Sequence, residues 1–115
     1  MNTLFNISKE SENLFKATIN SDSHIFEGHF PGNPVVPGVM SIWLVRNCAN
    51  LMLNREFSNF HTIKEVKYVS PIKPESSPVS VALTLVADGD EPTIAAELTD
   101  KDGNLLVKLK GTLVA

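Results

Sequence analysis

The sequence predicts an α+β domain: one central apolar helix with about five antiparallel strands. Three observations carry this. Between Val39 and Leu53, Val39, Met40, Ile42, Trp43, Leu44, Val45, Ala49, Leu51, Met52 and Leu53 cover nearly every helical face, the pattern of a helix buried on most sides. Four later stretches alternate apolar and polar residues with the period of two that marks strands. Short turns rich in Asp, Gly and Pro separate them.

Residues 1–13 are mixed and polar, a segment expected to have some mobility, with Leu4 and Phe5 able to pack down. Leu14 to Asn20 reads as a strand with Phe15, Ala17 and Ile19 on one face. Ser21-Asp22-Ser23 is a turn, and His24 to Glu27 leads into a loop rich in Pro and Gly. The helix is expected from Pro37 to about Asn54, with Asn54 as its C-terminal cap. Strands follow at His61 to Val69, from Val79 to Leu85, at Thr93 to Thr99, and from Leu105 to Thr112. Asp102-Gly103 is a hairpin signal between the last two.

A chain of 115 residues, 43% hydrophobic and 20% charged, suits a single domain spanning 1–115. The net charge of −3 offers no basic patch, so nucleic acid is not an expected partner. The single Cys48 allows no internal disulfide and reads as a small buried residue in a reducing compartment. No cationic stretch followed by an apolar run opens the chain, and the long apolar run carries too many polar residues for a membrane span. A cytoplasmic protein is the expectation.

The sequence concentrates its chemistry in Gly28-His29-Phe30-Pro31-Gly32-Asn33-Pro34-Val35-Val36-Pro37-Gly38-Val39. Three prolines and three glycines within twelve residues exclude a helix or an inner strand and describe a shaped, rigid loop. Pro37 suits the first helical turn, where its missing N–H costs nothing. The N–H groups of Gly38 and Val39 are then open donors at a helix N-terminus. His29 beside such donors outlines a base next to an oxyanion hole.

This loop resembles the signature of the FabA/FabZ-type 3-hydroxyacyl-[acyl-carrier-protein] dehydratases, hotdog-fold enzymes of fatty-acid synthesis. A weaker similarity continues from about Phe15 to the C-terminus. It includes Ile63-Lys64-Glu65-Val66-Lys67-Tyr68-Val69-Ser70-Pro71-Ile72, which resembles the family's strand leading into a proline turn. The family's N-terminal helix looks shortened or missing. The resemblance implies a hotdog fold, an antiparallel sheet wrapped around one helix. It also implies sheets paired edge to edge in a dimer, with a homodimer or a related hotdog chain as partner. The implied substrate is an acyl-carrier-protein or CoA thioester of fatty-acid, lipid or polyketide synthesis. His29 is implied as base, and the Gly38 N–H as holder of the thioester carbonyl. Phe30 and Val39 are implied as walls of the acyl channel, with Pro37 completing the loop's contact with substrate. A carrier protein would dock on a cluster such as Arg46, Arg55, Lys64 and Lys67.

One departure stands out. The family keeps an acidic residue fourteen positions after the histidine, and here that position is Trp43. No Asp or Glu lies between Glu27 and Glu56. Indole can donate a hydrogen bond but cannot protonate a leaving hydroxide. Either the donor lies elsewhere, with Glu27, Asp22, Glu56, His29 itself or water as candidates, or the site binds acyl thioesters without dehydrating them and Trp43 fills the pocket. Thioester hydrolysis is a third reading. Asn47, one turn beyond Trp43, could orient a water or the substrate hydroxyl, or belong to a polar strip with Arg46 and Asn50. His24 and His61 have no metal-ligand spacing with His29, and neither metal nor cofactor is expected.

Overall fold

The computed structural model describes residues 4–20 and 35–115; Asp22, His24, Glu27, His29, Phe30 and the loop up to Pro34 lie outside the described residues. One α-helix and six strands occur among the described residues. They run β1 (Phe5–Lys9), β2 (Leu14–Ile19), α1 (Gly38–Leu53), β3 (Asn59–Tyr68), β4 (Val79–Ala87), β5 (Thr93–Thr99) and β6 (Leu105–Val114). All neighbouring strands are antiparallel, in the order β1-β2-β4-β5-β6-β3.

Five strands and the helix follow the expected stretches within a residue or two at most ends. The sixth is β1. Phe5 pairs with Ile19 and Lys9 with Phe15, and Leu4 and Phe5 are buried. The alternation of Phe5 and Ile7 with Asn6 and Ser8 is too short to register in sequence, and partnership with β2 makes it a strand.

The inner face of the sheet is built from the alternating apolar positions. Phe15, Ala17, Val79, Val81, Leu83, Ile94, Ala96, Leu98, Val107, Leu109 and Leu113 are buried. The helix answers with Ser41, Leu44, Val45, Cys48 and Ala49. Three of these five are small, which lets the sheet close in on the helix axis. Asn54 ends the helix in the left-handed conformation, φ 52°, its N–H returning to the Asn50 carbonyl. The polar strip then ties the helix tail to the next segment. The Asn50 side-chain oxygen accepts the Phe57 N–H at 3.0 Å, and the Arg46 guanidinium donates to the carbonyls of Phe57 and Ser58. Arg55 lies over the Phe57 ring and donates to the Gly89 and Asp90 carbonyls. In the last hairpin, Gly103 has φ 87° and Asp100 accepts the N–H groups of Asp102 and Asn104. Those bonds, the Asn104 N–H first, hold the Asp100 carboxyl below its ordinary range.

At one edge lies β3, ten residues long, with Phe60 alone buried. Its ladder to β6 shifts register twice, between Phe60 and Thr62 and between Ile63 and Glu65. Gly111 of β6 sits beneath these bulges. A Cβ there would stand 2.8 Å from the Thr62 carbonyl oxygen and 2.8 Å from the Phe60 ring. Gly111→Ala therefore has to push a backbone aside. The expected cost is ~1–3 kcal/mol, the usual price of overpacking, read as a lower urea midpoint and a melting temperature several degrees down. An alanine variant as stable as wild type would show that β3 yields freely.

Candidate active site

The head of α1 is set by the chain on both sides of it. Pro37 immediately precedes the first helical residue with φ −57°. The Val36 N–H donates to the Ile72 carbonyl at 2.7 Å, pinning the loop's end to the segment after β3. That segment is itself held by the Leu106 carbonyl, which accepts the N–H groups of Val69 and Ser70. Inside the first turn, Ser41 Oγ donates to the Gly38 carbonyl at 2.6 Å, so the buried hydroxyl is satisfied locally. The Gly38 N–H has no acceptor among the described residues, as expected of a first-turn amide.

Gly38 opens onto a cleft of about 490 Å³ lined mainly by apolar side chains, among them Val36, Ile72 and Val107, with Tyr68 and Ser70. The end of the Tyr68 ring stands beside the glycine: a Cβ on Gly38 would be 2.9 Å from its Cζ and 3.1 Å from its hydroxyl oxygen. A side chain at 38 would have to displace the end of this half-exposed tyrosine. Sequence reasoning gives Tyr68 no role, because an aromatic residue in a strand already fits strand propensity. Only the fold reveals the contact.

The remaining site candidates lie elsewhere on the helix. Val39 and Trp43 share a second cleft of about 290 Å³ with Arg46 and Phe60. Trp43 is 37% exposed and stacks on Phe5, ring centres 6.4 Å apart. Asn47 belongs to a third groove with Ile7 and Asn50, and its amide donates back to the Trp43 carbonyl at 2.8 Å. Helical geometry explains why they lie away from Gly38. At about 100° per residue, Trp43 stands ~140° around the axis from Gly38 and Asn47 ~180° from it, whereas Val39 and Trp43 are ~40° apart. Of the basic cluster, Arg46 and Arg55 are committed to backbone carbonyls, while Lys64 and Lys67 are exposed on β3. Glu56 is exposed beyond the helix tail, at the grooves that hold Asn47. His61 pairs with Glu91 at 2.7 Å. No group of three His, Cys, Asp or Glu that could hold a metal occurs among the described residues. No helix among them is long and apolar enough to cross a membrane.

Cys48 is buried among the core residues, and burial pushes its thiol from an ordinary 9.0 to about 12. A thiol kept neutral by burial is a poor nucleophile.

Comparison with known proteins gives the family and the fold. The family described as ApeI-like, ApeI dehydratase, matches residues 6–110. The 3-hydroxyacyl-[acyl-carrier-protein] dehydratase FabZ of Fusobacterium nucleatum is 33% identical over 63 residues, covering 51% of this chain and 45% of that protein. The chain thus spans less than half the length of that relative. Among solved structures, the dehydratase heterocomplex ApeI:P from Xenorhabdus doucetiae aligns over 100% of both chains with TM-score 0.63 and 22% identity. Thioesterase superfamily member 2 from Mus musculus aligns over 96% of this chain and 80% of its own, with TM-score 0.64 and 15% identity. At such identities the structural likeness establishes the fold, and the fold is the hotdog.

The Cys48 environment gives a test. Because its folded pKa is raised, its contribution to stability is complete below the unfolded thiol's pKa and is lost as pH rises toward about 12. In native protein at pH 8, an aromatic disulfide reagent should leave Cys48 unmodified, and urea should release one reactive thiol. Rapid labelling without urea would mean that the packed face of α1 opens.

Proposed function

Because the chain belongs to the ApeI-like dehydratase family, we propose that it removes water from a 3-hydroxyacyl thioester carried on acyl carrier protein or CoA. The observation that carries this reading is the Gly38 N–H, without an acceptor among the described residues, at the wall of a mainly apolar cleft and at the end of the signature sequence. In the proposed reaction His29 takes the C2 proton. Electrons move onto the thioester carbonyl oxygen, which the Gly38 N–H steadies; removing such a donor typically costs 10²–10³-fold in rate, about 2.7–4 kcal/mol. The C3–O bond then breaks, and the departing hydroxide takes a proton and leaves as water. Phe30, Pro37 and Val39 are proposed to guide the acyl chain. Where the donor of that last proton sits is the open position, because Trp43 replaces the family's acid.

A second reading has its own observation. Trp43 is not loose in its cleft: it stacks on Phe5 of β1. A packed indole there favours an acyl-thioester-binding subunit that does not dehydrate and pairs with an active chain. Thioester hydrolysis shares the fold but lacks a carboxylate anywhere on α1.

The test is a turnover assay with 3-hydroxyacyl and 2-enoyl thioesters, read for water loss, hydration and free thiol. Wild type is expected to interconvert the two without releasing thiol, and His29→Ala to abolish this while remaining folded. Trp43→Glu restores a carboxyl at the family's position; a positioned acid is worth ~10²–10⁴-fold. It also opens a cavity and breaks the stack on Phe5, so a less stable but more active protein is expected. A folded Trp43→Glu that binds the thioester and turns over more slowly than wild type would move the reading to thioester binding.

The proposed partner is a second copy joined along β3. That strand leaves Ile63, Val66 and Tyr68, with Val69 just beyond its end, exposed at a sheet edge unpaired among the described residues, and such edges are normally covered or paired. An antiparallel pairing centred on Val66 would set Glu65 of one copy opposite Lys67 of the other, and Ile63 opposite Val69. Both are favourable cross-strand pairs. Sedimentation should give a dimer at micromolar concentration. Val66→Lys, which sets two like charges face to face, should give a monomer. A wild-type monomer would remove the shared-edge arrangement.

A further inference from the structure

We propose that the Tyr68 hydroxyl is a second hydrogen-bond donor to the carbonyl oxygen of the bound acyl thioester, acting beside the Gly38 N–H. The proposal rests on the reading that the cleft takes acyl thioesters. It does not depend on which reaction follows, since dehydration and hydrolysis both build negative charge on that oxygen.

Three observations carry it. The Tyr68 hydroxyl oxygen lies 3.1 Å from where a Gly38 side chain would begin, so it stands beside the first turn of α1. Neither donor is used: among the described residues the phenol has no hydrogen-bond partner and the Gly38 N–H has no acceptor. The surrounding wall is apolar, with Val36, Ile72 and Val107 in the same cleft. Two open donors in a mainly apolar cleft, with Ser70 also on its wall, define a place for an oxygen atom supplied from outside. Tyr68 is 52% exposed, so water serves its hydroxyl until a ligand displaces it.

The chemistry of the pair suits a carbonyl. An amide N–H is donor-only. A phenol O–H donates as well, and a carbonyl oxygen offers two lone pairs, one for each donor in the proposed complex. As that oxygen gains charge, both bonds shorten and strengthen, and an apolar setting raises their worth further. No proton needs to transfer from Tyr68: the phenol keeps its hydrogen, the C2 proton goes to the base, and the carbonyl reforms when the enolate collapses. The absence of a side chain at Gly38 leaves room for the end of the Tyr68 ring beside the helix head.

The experiment uses two non-reactive ligands on a pantetheine arm. In one, an amide replaces the thioester and keeps the carbonyl. In the other, a thioether replaces it and the carbonyl becomes CH2. Calorimetry measures both against wild type and Tyr68→Phe, which keeps the ring. Tyr68→Phe is expected to bind the amide about fivefold to tenfold more weakly, the scale of one hydrogen bond, and the thioether as wild type does. Where turnover is measured, its kcat should fall on the order of 10²-fold, with less effect on KM. If Tyr68→Phe binds the amide like wild type, or loses both ligands equally, the assignment is overturned. If wild type binds neither ligand, the acyl-thioester reading itself has failed, and the assignment falls with it.

Discussion

One helix has to fill the inside of a six-stranded sheet, and the rest of the molecule follows from that. Leu44, Val45, Cys48 and Ala49 are wholly buried, and so are Phe15, Val79, Val81, Ile94, Leu98 and Leu113 on the strands. A core this close-packed has little freedom to slide. The helix cannot move along its axis without trading Leu44 or Ser41 for a neighbour of another size. Its position therefore fixes where its head meets the cleft beside β3 and where its tail meets the strip held by Arg46 and Asn50. Those polar residues act as fasteners, satisfying backbone groups of the segment from Phe57 to Ser58 and freeing that segment from a need for regular structure.

The same rigidity distributes chemistry around the helix. Gly38 opens into one cleft and Trp43 and Asn47 into two others, because residues five and nine positions along the helix point away from Gly38. In the proposed dimer, a site that uses both Gly38 and Trp43 would draw them from different chains. The exposed length of β3, whose Tyr68 borders the Gly38 cleft, is where a second chain would bring them together.

Most of the architecture was legible in the residues. The strands from β4 to β6 advertise themselves through strict alternation, and Asn54 through its tolerance of left-handed backbone. β1 was not legible, since five residues with two apolar positions carry too little periodic signal. Nor was the state of β3. Its apolar residues predict a strand, but its double exposure depends on lying at an edge, and sheet order is not written in local pattern. The signature loop was legible as composition, prolines, glycines and His29 before a helix, and its residues up to Pro34 lie outside the described ones. The partnership of Gly38 with Tyr68 spans thirty positions of sequence and depends on how the segment around Ser70 folds back onto Val36. No local rule reads that. The spread of Trp43 away from Gly38 was in principle readable from helical angle alone, but one expected pocket for all the site residues obscured it.

The fit of Tyr68 against Gly38 also bears on how the chain can vary. With Tyr68 where it stands, a Cβ at 38 would come within 2.9 Å of the end of its ring, so a larger residue at 38 has to turn the phenol aside. Replace the tyrosine with a small residue, and that displacement is no longer needed. The two sites form an epistatic pair: the cost of a change at one is set by the occupant of the other. A lineage that loses the ring loses the constraint with it.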